Sequence, residues 1–146
     1  MNALLFQLAF LLAAPFWALM ILAPRRRWTR RIVTSPLIVL APLAIWPFAI
    51  APHFPSFAAE MLAPDLPGVA SLFAEPAVVV AVWAHLIAFD LFIGRWIHLD
   101  AQDRGLHVLV VSPILFLTIF LSPIGLSLYL VLRTVRTPQT INSTRQ

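Results

Sequence analysis

Three ionisable residues, His85, Asp90 and Arg95, stand inside a strongly apolar run, with Trp83, Phe89, Phe92, Gly94 and Trp96 around them. Ionisable groups in such a run are expensive to hold in hydrocarbon and usually face protein or water, so they are functional candidates by default. A carboxylic acid buried away from cations can keep its proton and serve as a general acid, and an imidazole can take a proton up. Asp90 and His85 are therefore the candidate catalytic acid and base.

A helix turning about 100° per residue sorts these side chains. Phe89, Phe92 and Trp96 fall within roughly 40° of His85 and form one aromatic stripe. Asp90 lies about 140° away, on the side of Trp83 and Gly94. Arg95 lies about 80° to the other side. His85 and Asp90 therefore cannot pair within one helix. A second apolar run places His107, Thr118, Ser122, Gly125 and Tyr129 within roughly 60° of one another. Small and hydroxyl residues at that spacing let helices approach and bond across an interface. Trp83, Phe89, Phe92, Arg95, Trp96, Thr118, Ser122 and Tyr129 are the candidate substrate-binding residues, the aromatic ones as the wall of a groove for a long apolar ligand. Each has a competing structural role. Asp90 can tie to Thr118 or to an arginine, and His85 can be a satisfied interhelical histidine. Arg95 can snorkel to the interface, and the aromatic stripe can pack or face lipid.

The elements that must position these groups follow from composition. Of 146 residues, 61% are apolar and 11% charged, against about 25% charged in ordinary soluble domains. The net charge of +4 suggests a polyanion partner until the charges are placed, because long uncharged runs separate them. No nucleic-acid partner is expected. Cysteine is absent, which excludes thiol chemistry and Cys-ligated zinc.

Four runs are long enough, at about 20 residues, to cross a bilayer as helices: 3–23, 32–51, 77–97 and 108–132. The first lacks a basic leader and reads as a span rather than a signal peptide. The expected fold is all-α, a single transmembrane four-helix bundle whose second and fourth helices are kinked by Pro36, Pro42 and Pro47 and by Pro113 and Pro123. Residues 52–76 form an outer connector of short surface-lying helices with Pro67-Gly68 as the turn, and Glu75-Pro76 starts the third span. Arg25, Arg26, Arg27, Arg30 and Arg31 fix the first loop in the cytoplasm. The N-terminus is then outside, and four crossings put the polar tail 133–146 outside as well. That tail carries Arg133, Arg136 and Arg145, so seven arginines fall inside and three outside. The tail opposes the assignment. The short, all-arginine make-up of the basic residues suits a bacterial plasma membrane.

Several chemistries are set aside. Four histidines are too few for a histidine-rich membrane di-iron oxygenase. Neither a phosphate-binding glycine loop nor a nucleophile elbow is present. His98, Asp100, Asp103 and His107 cluster in the loop after the third run, but no metal site is assigned to them. No particular cofactor is implied.

The run 83–100, centred on His85, Phe89-Asp90-Leu91-Phe92 and Gly94-Arg95-Trp96, resembles the signature of the abscisic-acid-deficient-four-like family. The resemblance extends to Leu22-Ala23-Pro24-Arg25, Trp28-Thr29, Ser35-Pro36-Leu37, Ser122-Pro123-Ile124-Gly125 and Leu128-Tyr129-Leu130, and so to nearly the whole chain. The family's plant member is needed for making neoxanthin, an allenic carotenoid, from violaxanthin. The resemblance implies a carotenoid-related protein with four spans and carries over no catalytic set.

Three functions fit. The first is acid–base isomerisation or epoxide rearrangement of a carotenoid or isoprenoid in the bilayer. The second is a non-enzymatic accessory protein that binds pigment or lipid. The third is a small proton-coupled transporter subunit assembled as a homo-oligomer. Membrane lipid and a hydrophobic, carotenoid-like small molecule are the expected partners.

Overall fold

A computed structural model describes residues 1–135. The rest of the tail, with Arg136 and Arg145, lies outside the described residues. Among these the chain is all-α, with no strand.

The first helix, α1 (Asn2–Leu22), carries no charge and is apolar all round. It buries Ala9, Ala13, Trp17 and Met20 and turns Leu4, Leu11 and Leu22 outward. Such a helix is stable only where its outer face also meets an apolar medium. After Pro24 the short helix α2 (Arg27–Thr34) buries Thr29 and Val33 and exposes its arginines. It stops at Ser35 because a proline follows, which pushes the preceding residue out of the helical region. Ser35 has φ −70 and ψ 123.

From Pro36 the path stays helical but is repeatedly interrupted. A 3-10 turn (Pro36–Val39), α3 (Leu40–Leu43), α4 (Ile45–Ile50), a second 3-10 turn (Ala51–His53) and α5 (Phe54–Leu62) follow one another. The prolines at 36, 42, 47, 52 and 55 each remove a backbone donor, which favours short pieces and 3-10 turns over one regular helix. Pro36–Leu62 is 27 residues of apolar path, longer than the expected 32–51 and absorbing half of the connector. The chain turns at residues 63–65, ahead of the expected Pro67-Gly68 turn. The reason is Asp65: its carboxylate accepts the Gly68 N–H at 2.7 Å and caps α6 (Leu66–Phe73). Pro67 then sits in the first helical turn, where its missing donor is harmless.

The long helix α7 (Pro76–Asp103) begins at Glu75-Pro76 as expected and runs six residues past the expected end. It is the central element. Ala81, Ala84, Ala88 and Gly94 keep faces of it shallow enough for neighbours to pack closely. A Cβ on Gly94 would overlap the Trp17 indole of α1.

The expected fourth span, 108–132, is corrected. It is two helices, α8 (Val108–Phe120) and α9 (Ser122–Val135), of 13 and 14 residues, broken at Leu121 with φ −137 and ψ 61. The break reverses the chain. Along one straight helix Tyr129 would lie about 31 Å from Val108, near the start of α7. Instead its hydroxyl donates to Asp100 at 2.6 Å, close to the end of α7. A Cβ on Gly125 would come within 2.9 Å of the Thr118 Cα, so the two arms touch backbone to side chain. The physical cause is local. Pro123 has no N–H to donate back toward residue 119, so the helix opens there, and Leu121 leaves the helical region. The small and hydroxyl residues expected to face the third span therefore also pack the hairpin against itself. Among the described residues three helical stretches are long and apolar enough to cross a membrane: Asn2–Leu22, Pro36–Leu62 and Pro76–Asp103.

Candidate functional site

The hairpin sets the geometry around Asp90. Its tip residue Ser122 is buried and faces the Asp90 carboxyl. Among the described residues the buried Ser122 hydroxyl makes no well-formed hydrogen bond, and the Asp90 carboxyl is the group it faces. Asp90 makes no ion pair among the described residues. Rise along α7 puts Asp90 about 15 Å from Asp100 and about 21 Å from Pro76. The tip thus reaches only the middle of α7. Beyond it the same stripe of α7 carries Trp83, two turns away, stacked on Phe6 of α1 with centroids 4.7 Å apart. The Trp83 indole N–H is buried and has no acceptor. A half-buried carboxyl and two unpaired buried polar atoms therefore share one side of α7 at mid-length. Buried polar groups are normally satisfied, so such a set invites a ligand. Thr118 does not tie Asp90: its hydroxyl donates to Ile114 in its own helix at 2.7 Å.

His85 is elsewhere. It is exposed and stacks on Phe89, which stacks on Phe92, at 6.1 and 6.4 Å. Phe89 and Phe92 are 55% and 45% exposed, so this stripe faces away from the hairpin. The separation of His85 from Asp90 expected from helical phase is present. Trp96 leaves the stripe and packs edge-on against Tyr129 at 5.6 Å.

Trp96 and Tyr129 belong to a third place, a latch near the end of α7. Asp100 accepts from Tyr129 at 2.6 Å and from Arg104 at 2.8 Å, and pairs with Arg133 at 3.2 Å. The Arg133 guanidinium lies 5.4 Å from the Trp96 ring centre. Charge-assisted bonds of this kind are the strong ones, and here they hold α9 folded back on α7. Arg95 is also engaged. Its Nε donates to Val33 O at 2.8 Å and its Nη2 to Thr34 O at 2.5 Å, capping the carbonyl end of α2 where a cation is favoured.

The candidate residues thus divide into a mid-length set (Trp83, Asp90, Thr118, Ser122), an outward aromatic stripe (His85, Phe89, Phe92) and a structural group (Arg95, Trp96, Tyr129). Sequence reasoning missed Asp100, Arg104 and Arg133 as one network. The i,i+4 spacing of Asp100 and Arg104 was a signal for half of it. The loop residues considered for metal do not converge. His98 is buried beside Gln102, Asp100 is in the latch, and Asp103 meets Arg30 at 3.5 Å. Among the described residues no three His, Asp or Glu side chains could hold a metal ion.

Comparison with known proteins adds three findings. The sequence model of the ABA DEFICIENT 4-like family matches residues 4–129. The chain is similar to Protein ABA DEFICIENT 4, chloroplastic, of Arabidopsis thaliana, at 28% identity over 99 residues, which are 64% of this chain and 45% of that protein. It therefore spans less than half the length of that relative. No solved structure matches.

Proposed function

The chain belongs to the ABA DEFICIENT 4-like family, and from that premise we propose that it is a three-crossing membrane protein acting on a carotenoid or related isoprenoid, with Asp90 as its acid–base group. The observation that carries this reading is the half-buried Asp90 carboxyl facing Ser122 at the tip of a hairpin that reaches only half the length of α7. A long apolar substrate can enter sideways from lipid above the tip and bring one end ring to the carboxyl, with Trp83 and Phe6 along its path.

In an epoxide rearrangement, Asp90 donates its proton to the epoxide oxygen as the C–O bond breaks. The resulting carboxylate then removes a proton from a neighbouring carbon, and the electron pair of the broken C–H bond forms the new double bond of an allenic alcohol. The substrate keeps its atoms and Asp90 ends as it began, so one residue suffices. This removes the need for His85 as base, which the opposite facing of the two side chains makes impractical for a single substrate.

Three crossings also relieve the conflict in the charges. With the α8–α9 hairpin entering and leaving on one side, Arg133 shares a side with Arg25 to Arg31, in keeping with the preference of arginine for the cytoplasm. The N-terminus is then outside and the end of α9 inside.

A second reading is supported by the outward stripe His85–Phe89–Phe92, which offers a flat aromatic rail to a polyene without chemistry. One experiment tests the proposal and separates the two. Pigments are extracted from carotenoid-producing cells with and without this chain and compared by chromatography. A new or altered carotenoid supports turnover. Unaltered pigment that co-purifies with the protein, and is lost in Phe89→Ala/Phe92→Ala, supports binding alone. An identical profile with no bound pigment rejects both.

A further inference from the structure

A cavity of about 420 Å³ lies at the other functional extreme of the molecule, where α1 ends, α2 and α8 begin and α7 finishes. Arg25, Arg26, Arg27 and Arg30 line it. Among the described residues the first three make no ion pair, and Arg30 meets only the exposed Asp103 at 3.5 Å, a contact of little energetic weight. Four like charges around one hollow repel one another unless an anion sits among them. The start of α2 adds donors: Arg27 lines the hollow and no side chain caps this helix, and an uncapped helix start carries free N–H groups and a positive dipole end.

The hollow is braced rather than accidental. His98 is 2% exposed and lines it. The Gln102 amide nitrogen donates to Pro24 O at 2.7 Å and lies 2.9 Å from His98 Nε2. An NH₂ group can give one hydrogen to each, which makes His98 Nε2 an acceptor and leaves the ring neutral with its proton on Nδ1. This chain of contacts fixes the turn that carries the arginines against α7. Beneath them, Met20, Val111 and Leu115 supply an apolar wall. The combination is a polar, cationic mouth over an apolar floor, at a volume within the usual range for small-molecule sites.

We propose that this cavity binds a phosphate group, presented either by an anionic lipid at the bilayer surface or by a free phosphate. The arginines and the uncapped start of α2 receive the phosphate oxygens, and in the lipid case the first carbons of the chain lie against Met20 and Leu115. The site is separate from Asp90 and stands whether or not the proposed chemistry does.

The test uses the detergent-purified full chain and isothermal titration with three probes: inorganic phosphate, dioctanoyl phosphatidate and dioctanoyl phosphatidylcholine. Binding of phosphatidate more tightly than inorganic phosphate assigns the lipid source, and equal binding assigns the free anion. In either case Arg26→Gln/Arg27→Gln is expected to weaken binding about tenfold or more. Both side chains are exposed, so the fold should survive. Val108→Glu, which puts a carboxylate at the cavity wall, should abolish binding. Arg31→Gln is the control, because Arg31 is on the same helix but does not line the cavity. It should leave affinity unchanged within about twofold. Phosphatidylcholine binding as tightly as phosphatidate would overturn the proposal. So would no binding of phosphate or phosphatidate, or an equal loss in Arg31→Gln and Arg26→Gln/Arg27→Gln.

Discussion

Asp90→Asn should abolish any carotenoid conversion while leaving the protein folded and inserted. The change is nearly isosteric, no ion pair among the described residues holds the carboxyl in place, and the amide oxygen of asparagine can still face Ser122, so little of the fold depends on it. An amide cannot give up and retake a proton under these conditions. General acid–base catalysis by one group contributes about 10²–10⁴-fold, and here the same group takes both steps. A fall of at least about 100-fold is therefore expected. Product per unit of membrane protein, measured by chromatography and normalised to an immunoblot, reads it directly. His85→Ala should fall far less, because His85 is exposed on another face of α7. Equal losses in the two variants would show that the acid–base assignment is wrong.

The second large effect is structural. Gly125→Val should drive the hairpin arms apart, since even a Cβ at this position meets Thr118 side chain and backbone. Backbone cannot yield as a flexible side chain can, so the strain should reach about 1–3 kcal/mol or more. The expected consequence is loss of the Asp90–Ser122 approach and of the latch on Asp100, with activity falling although Asp90 is untouched. Single cysteines report the arrangement cleanly, because the chain has none of its own. In the parent protein, Arg31→Cys and Val135→Cys should label from the same side of the membrane, and Ala63→Cys from the other. Labelling of Val135→Cys from the side of Ala63→Cys would mean a fourth crossing and no hairpin. In Gly125→Val the protection of α9 against hydrogen exchange should drop. Undiminished protection would mean that the close approach does not hold the hairpin.

The first and third long apolar helices were legible in the sequence because bilayer thickness and hydropathy fix them with few alternatives, whereas the second, expected at 32–51, runs as an interrupted path over Pro36–Leu62 because its prolines break it and carry it past Ala51. Asp90 was legible for a similar reason: no other acid lies deep within an apolar run. The facing of His85 away from Asp90 followed from helical phase alone. The hairpin was not legible from hydropathy, since 108–132 is apolar throughout and long enough to cross. Two signals did point to it. Ser122-Pro123 stands in the middle of the run, and four crossings put Arg133 outside, against the preference of arginine for the cytoplasm. The latch was hidden because it joins Asp100 to Tyr129 and Arg133, side chains about 30 residues apart that only chain reversal brings together. The structural duty of Arg95 was hidden too, because its acceptors are the backbone carbonyls of Val33 and Thr34, which no residue type announces.

On the proposed function Asp90 is a proton-bearing carboxyl open to lipid at mid-length on α7. Dicyclohexylcarbodiimide tests it most directly, since this apolar reagent reaches carboxyls through the membrane and adds only to those that carry a proton. After treatment of native membranes and peptide mapping by mass spectrometry, an adduct is expected on Asp90 and none on Asp100, which Tyr129, Arg104 and Arg133 hold in the latch. An unmodified Asp90, under conditions where the reagent modifies Asp100 or another carboxyl of the chain, would contradict that assignment.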